Sequence, residues 1–322
     1  MNSERSTIVF NQNAGNGKAK MLAGYLSDSL KGAPVVPFEQ FLREKNHNGH
    51  VDVVWSIGGD GSHTSVARGS RNGEATPVCV PMACGTVGLI PKILGTDRKV
   101  LESPHSYVNR LTAVLSDGQE VLVNPGVVVD NRSPGEMTAF LWTASTAWSV
   151  ELLSELERQR GKGGKALRVG RSVIHALQRL SSLKPVPITV EGTTQEVREA
   201  IIWKYPLVPG KENPERGDSD ILCTVTAEGS PQTAFCKALY DIAFMLYGKN
   251  STGQGIQQML LNGQEQVIFH HPDSGKYGLD SEITAAAGDL VIHSRDSEFP
   301  PYRLFRPVPL SSNAASSSCA HP

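Results

Sequence analysis

Short apolar runs separated by amphipathic stretches fill the first third of the chain. The runs are Ile8 to Phe10, Val35 to Phe38, Val51 to Ile57 and Val78 to Pro81, and a helical spacing of apolar positions covers Lys18 to Leu30. Val51, Val53, Val54, Trp55 and Ile57 show no polar alternation, as expected of a strand covered on both faces. Strand, helix and strand in repetition predict a parallel sheet flanked by helices, a Rossmann-like α/β unit.

From Glu120 the texture changes. Closely spaced apolar runs alternate with turn residues in "EVLVNPGVVVDN", "PVPITVEGTTQEVREAIIWKYPLV", "DILCTVTAEG", "EQVIFHHPDSG" and "DLVIHSRD", which predicts antiparallel strands. One helical insert is expected over Thr143 to Leu183, with Leu167, Gly170, Val173, Ile174, Leu177 and Leu180 on one face. The boundary falls at Asp117-Gly118. This divides the chain into an α/β domain over 1–118, a β-rich domain over 119–310 whose last strands have room to pack back on the first, and a small, polar, disordered tail over 311–322.

Charge changes this picture little. The chain of 322 residues carries 31 basic and 32 acidic side chains, a formal net charge of −1, which argues against nucleic acid as a partner. Cys79, Cys84, Cys223, Cys236 and Cys319 are odd in number and lack Cys-x-x-Cys, so neither a disulfide framework nor a zinc site is expected. With no signal-peptide core and no run of 18 apolar residues, a cytoplasmic protein is expected.

Three segments carry candidate chemistry: "IVFNQNAGNGKAK", "VVWSIGGDGSHTS" and "VCVPMACGTVG", each an apolar strand ending in small residues. The carboxyl ends of parallel strands open on one edge of a sheet, so these turns should converge there with backbone N–H groups free for phosphate oxygens. Alone, each is an ordinary strand-to-helix turn. The first lacks the Gly-x-x-x-x-Gly-Lys pattern of a P-loop, and no Gly-x-Gly-x-x-Gly appears.

Together the motifs resemble those of the diacylglycerol kinase catalytic domain superfamily, with soluble bacterial lipid kinases and sphingosine kinases among its members and NAD kinases more distant. Gly58-Gly59-Asp60-Gly61-Ser62 is similar to the family's Gly-Gly-Asp-Gly-[Thr/Ser]. Asn11-Gln12-Asn13-Ala14-Gly15 resembles its Asn-Pro-x-Ser-Gly, and Pro81-Met82-Ala83-Cys84-Gly85-Thr86 its Pro-x-Gly-Thr with one extra residue. Far downstream, "YGLDSEIT" resembles its Asp-Gly-Glu, keeping Asp280 and Glu282 with Ser281 for Gly. One departure stands out: Val87-Gly88-Leu89 replaces the family's x-Asn-Asp, and Leu89 cannot ligate magnesium.

The resemblance implies an N-terminal nucleotide-binding domain, a C-terminal β-sandwich and ATP-dependent, magnesium-assisted phosphoryl transfer to a hydroxyl group, expected to be that of a lipid. A soluble alcohol as acceptor and a binding protein without catalysis are the alternatives. It assigns nucleotide contacts to Asn11, Asn13, Gly15, Gly58, Gly59, Gly61, Ser62, Gly85 and Thr86, catalysis to Asp60 and Glu282, and metal binding to Asp280 and Glu282. Each has a plainer alternative. Asp60 could cap the helix over Ser62 to Gly69, and acids two apart in a hairpin are usually solvated. Arg158 to Arg179 holds seven Lys or Arg and no acid; it suits peripheral contact with an anionic membrane, or simply a solvated helix face. His63, His270 and His271 lack partners at metal-ligand spacing.

Overall fold

The computed structural model describes residues 5–44, 51–70, 76–84, 88–99, 102–133, 137–159, 165–180, 182–205, 207, 219–246, 255–270, 275–280, 282–295 and 299–307. The first part runs β1 (Ser6–Phe10), a 3-10 turn (Ala14–Gly17), α1 (Lys18–Ser29), β2 (Val35–Pro37), α2 (Phe38–Arg43) and β3 (Val53–Gly58). It continues through α3 (Asp60–Gly69), β4 (Val78–Ala83), α4 (Leu89–Leu94), α5 (Pro104–Ala113) and β5 (Gln119–Val123). There follow β6 (Gly126–Asp130), β7 (Met137–Phe140), β8 (Thr143–Ala147), α6 (Trp148–Arg158), α7 (Lys165–Leu180), β9 (Val186–Val190), β10 (Thr193–Trp203) and β11 (Asp220–Thr226). The chain ends through α8 (Pro231–Leu246), β12 (Gln257–Leu261), β13 (Gln266–Phe269), β14 (Lys276–Leu279), β15 (Glu282–Ala285), β16 (Leu290–His293) and β17 (Tyr302–Arg306).

Two sheets result, and the expected pairing of an α/β part with a mostly-β part holds. The six-stranded sheet has the order β2-β1-β3-β4-β17-β5, parallel except for β5. The other eleven strands form an antiparallel sheet in which β10 pairs with β8, β9 and β11. The continuous apolar runs of β1 and β3 bury both their faces, as their lack of alternation requires. On one face Ile8, Trp55 and Val80 pack with Leu22 and Leu26 of α1 and Leu111 of α5. On the other Val9, Val54 and Cys79 join Ile90 of α4, Trp142, Trp203 and Ile221, so one apolar cluster is shared by both sheets.

Three expectations change. Gln119–Val123 belongs to the six-stranded sheet, held there antiparallel to β17, so the strands of the second sheet begin at Gly126 and not at 119. Thr143–Ala147 is a strand and not the start of the helical insert, because pairing with β10 and β14 outweighs its weak local preference. Beyond α6 and α7 a further helix, α8, lies between β11 and β12; its sequence lacks the strong amphipathic spacing that marks α7. The 311–322 tail lies outside the described residues.

The second sheet buries a charge pair. Lys204 Nζ meets Asp220 Oδ2 at 2.6 Å and also donates to the Ser294 carbonyl, all within the core. Removing one partner leaves the other charge without compensation. Lys204→Met should therefore destabilise the protein by about 3–5 kcal/mol in urea unfolding. A loss under about 1 kcal/mol would mean that Asp220 is solvated or neutral in the folded state.

Candidate active site at the carboxyl edge of the parallel sheet

The three glycine-bearing strand ends meet. Asn11 Nδ2 donates to Ser62 Oγ at 2.7 Å, which ties the first loop to the second, and Asn11 Oδ1 accepts the Asn13 N–H at 2.9 Å. The Cys84 N–H donates to the Gly58 carbonyl at 2.9 Å, tying the third loop to the second. Gly15 closes the triangle. Its φ is +62°, and a Cβ there would lie 2.5 Å from Cys84 Sγ and 2.7 Å from the Cys84 carbonyl oxygen. A Cβ on Gly58 would lie 2.7 Å from Ser62 Cβ. Both glycines are thus demanded by close packing of the loops. Gly85 and Thr86 lie outside the described residues.

Asp60 opens α3 and is only 7% exposed. It does not cap its own helix, where Gly59 is the N-cap. Its two oxygens instead accept the N–H groups of Leu89 and Ile90 at 3.0 and 2.9 Å, so it fixes the start of α4 after Gly88, whose φ is +65°. The Leu89 side chain packs against the shared apolar cluster. The first-turn N–H groups of α3 have no intrahelical acceptor.

The downstream acidic element arrives at the same helix. Glu282 Oε1 accepts from Ser65 Oγ at 3.3 Å and would lie 3.4 Å from a Cβ on Gly61, the residue after Asp60. Its side chain is 52% exposed. Asp280 differs: its side chain is 0% exposed and accepts the N–H groups of Leu141, Trp142 and Thr143, while Arg68 Nη2 of α3 lies 3.5 Å away. Burial pushes the Asp280 carboxyl up, against the Arg68 guanidinium and those three donors, which hold it down. With its oxygens so engaged it is placed as an anchor for the turn before β8. No group of three metal-ligating side chains occurs among the described residues.

Ser65 and Arg68 bind the acidic element yet carry no motif signal in the sequence. Lys18 and Arg98 were missed for the same reason. They lie close enough to Cys84 to pull its thiol down, against a larger upward push from burial. Of the histidines, His63 is buried with Nδ1 2.9 Å from Ser56 Oγ, and burial lowers its pKa to about 3. His270 joins Thr189 and Asp289 on the second sheet, away from the site; His271 lies outside the described residues.

A separate cavity of about 70 Å³ lies between α6, α8 and the second sheet, walled by Leu152, Ile201, Val225, Phe235 and Ile256. Glu199 is its one carboxyl group, accepting from the Ser149 N–H at 2.6 Å; burial pushes its pKa up to about 8.

No family model and no curated protein matches the chain. Solved structures do. A "putative diacylglycerol kinase" from Bacillus anthracis str. Sterne superposes with a TM-score of 0.54 at 14% identity, covering 90% of this chain and 94% of its own. A structure of diacylglycerol kinases from the same organism gives 0.53 at 14% identity, covering 94% and 96%. A third, also a "putative diacylglycerol kinase", gives 0.52 at 14%, covering 90% and 93%. The fold of these structures is therefore the fold of this chain. Its described helices include none long and apolar enough to cross a membrane.

Two buried groups set opposite pH slopes. His63 refuses in the folded state a proton that the unfolded chain takes up below about pH 6.5, so its contribution to stability is lost as pH falls toward 3. Glu199 keeps a proton that the unfolded chain releases above about 4.5, so its contribution is lost as pH rises toward 8. Each is worth about 1.4 kcal/mol per pH unit within its window. His63→Leu should make stability fall with pH from about 4.5 onward, and Glu199→Gln should remove the fall between about 6.5 and 8. Urea midpoints across that range check both, and unchanged profiles would show that neither group is held as described.

Proposed function

We propose that the protein is an ATP-dependent phosphotransferase acting on a hydroxyl group, with a lipid as the acceptor. The observation that carries this reading is the placing of Glu282, more than 200 residues downstream, against the first turn of the helix that Asp60 opens. Ser65 and Arg68 hold it there, and a shared reaction centre gives the approach a use.

The nucleotide phosphates would lie over the converging loops, with Asn11 and Asn13 beside them and the first-turn N–H groups of α3 at Gly61 and Ser62 facing them. Lys18 and Arg98 add positive charge nearby. The donor set suits magnesium of the kind that keeps several waters and binds through one or two carboxylates and phosphate. Asp60 and Glu282 would be those carboxylates, and a bound ion would neutralise charge on the transferred phosphoryl group. Asp60 then accepts the acceptor's hydroxyl proton or orders the water beside it. A bond forms from the acceptor oxygen to the terminal phosphorus as the bond to the leaving diphosphate breaks.

The second reading takes a small soluble alcohol as the acceptor. Incubation with labelled ATP and magnesium, against a lipid extract and a pool of soluble alcohols, separates the two; binding of nucleotide without transfer to either would indicate a protein that has lost catalysis.

Asp60→Asn should lower turnover at least about a hundredfold with nucleotide affinity nearly kept. Glu282→Gln should raise the magnesium concentration needed for half-maximal activity and depress turnover, since the amide keeps the shape and loses the charge. Wild-type rates in both variants would move the reaction centre away from α3.

A further inference from the structure

Among the described residues, β2, β5, β7, β12 and β15 stand at the edges of the two sheets. An edge strand leaves alternate N–H and C=O groups without a ladder partner, and proteins blunt such edges with charge, proline or cover. β2 is three residues long and ends on Pro37, β5 carries Glu120, and β15 begins on Glu282. β7 is fully exposed only at Met137. β12 has none of these guards. Gln257, Gln258, Met259 and Leu260 are exposed in succession, and no charged residue occurs from 255 to 264.

The strand is not a loose end. The buried Asp241 of α8 accepts the N–H groups of Gly255 and Ile256 at 2.9 and 3.1 Å, and Ser219 Oγ donates to Asn262 Oδ1 at 2.9 Å. Between these ties the strand pairs with β11 from Gln257 to Leu261. β11 is buried on both faces; one strand farther out, both faces are open. Met259 lies opposite Leu222 and Leu260 opposite Ile221, so each of the two core clusters runs out to an apolar side chain at the rim, 44% and 43% exposed.

A strand is what completes such an edge, since it meets the backbone groups and covers both faces at once. A second copy of this edge fits it. Two copies of β12 laid antiparallel about a two-fold axis at Leu260 set Leu260 against its own copy on one face. On the other face Met259 meets Leu261 of the copy. The edge is neutral, so no like charges are opposed, and a net charge of −1 adds little repulsion between whole chains. We propose that the protein self-associates through β12, which joins the antiparallel sheets of two copies into one continuous sheet. One strand pair is a small contact, below the roughly 1,200 Å² of standard interfaces, so the dimer should be a micromolar one.

The test is sedimentation equilibrium of the full chain from about 1 to 100 µM. Wild-type protein should pass from monomer to dimer across that range, with little change between low and high salt because no ion pair holds the contact. Leu260→Lys sets two like charges face to face across the axis and should weaken association at least about tenfold. Facing residues of an antiparallel pair have Cα atoms about 4.5–5.5 Å apart, within reach of a disulfide. Leu260→Cys, made with Cys236→Ser to remove an exposed thiol, should therefore cross-link under mild oxidation, and Leu122→Cys on the β5 edge should not. Thermal unfolding unchanged from wild type would show that the variants are folded. A wild type still monomeric at about 100 µM, a dimer that Leu260→Lys leaves as tight, or no cross-linking at position 260 would each overturn the proposal.

Discussion

A carboxylate cut off from water must find its donors inside the protein. Asp280 finds them in three successive backbone N–H groups, Leu141 to Thr143, and in Arg68 on α3. It adopts a left-handed φ of 50° to reach them, a strained conformation for a residue with a side chain. The arrangement ties the turn before β8, the end of β14 and a helix of the other sheet to one charge. Glu282, two residues on, is thereby delivered to Ser65 and Gly61. The candidate site depends on that delivery, because each sheet alone holds only half of its acidic groups.

Glycine serves the same end. Gly61 leaves room where a Cβ would stand 3.4 Å from Glu282, and Gly15 and Gly58 let the three loops close on one another. Gly15 and Gly58 are therefore first a packing requirement. Asp60 completes the edge by holding the start of α4 with both oxygens. This also changes the meaning of Leu89. A polar side chain is missing from that position, but its backbone N–H takes part in the site and its side chain joins the apolar cluster that both sheets share.

That shared cluster makes the two sheets one body for the purpose of the site. Val9, Val54 and Cys79 from the parallel sheet meet Trp142, Trp203 and Ile221 from the antiparallel one, and Trp142 and Trp203 pack edge to face with centroids 5.4 Å apart. The chain leaves the parallel sheet after β5 and returns only at β17, which slots between β4 and β5. Both ends of the antiparallel excursion are pinned to the first sheet, so Glu282 approaches α3 from a supported strand and not from a free lobe.

Much of this was legible in the residues. Unbroken apolar runs determine strands buried on both faces, and small residues at their ends determine sharp turns, so the parallel sheet and its three loops could be read from β1, β3 and β4 alone. The basic and apolar composition of α7 was equally visible, but not that Leu167 and Ile174 are exposed while Val173 and Leu177 pack inward. Other features were decided only by the tertiary structure, for physical reasons. Thr143–Ala147 is a strand because two neighbours pair with it, and α8 buries Phe235, Ala238 and Asp241 on one side while Lys237 and Tyr240 stay exposed on the other. Asp280 and Glu282 look alike in sequence, yet one is wholly buried on backbone donors and the other half exposed beside Gly61. Burial and donor geometry at long range separate them, and neither is written in the spacing of two acids along a hairpin.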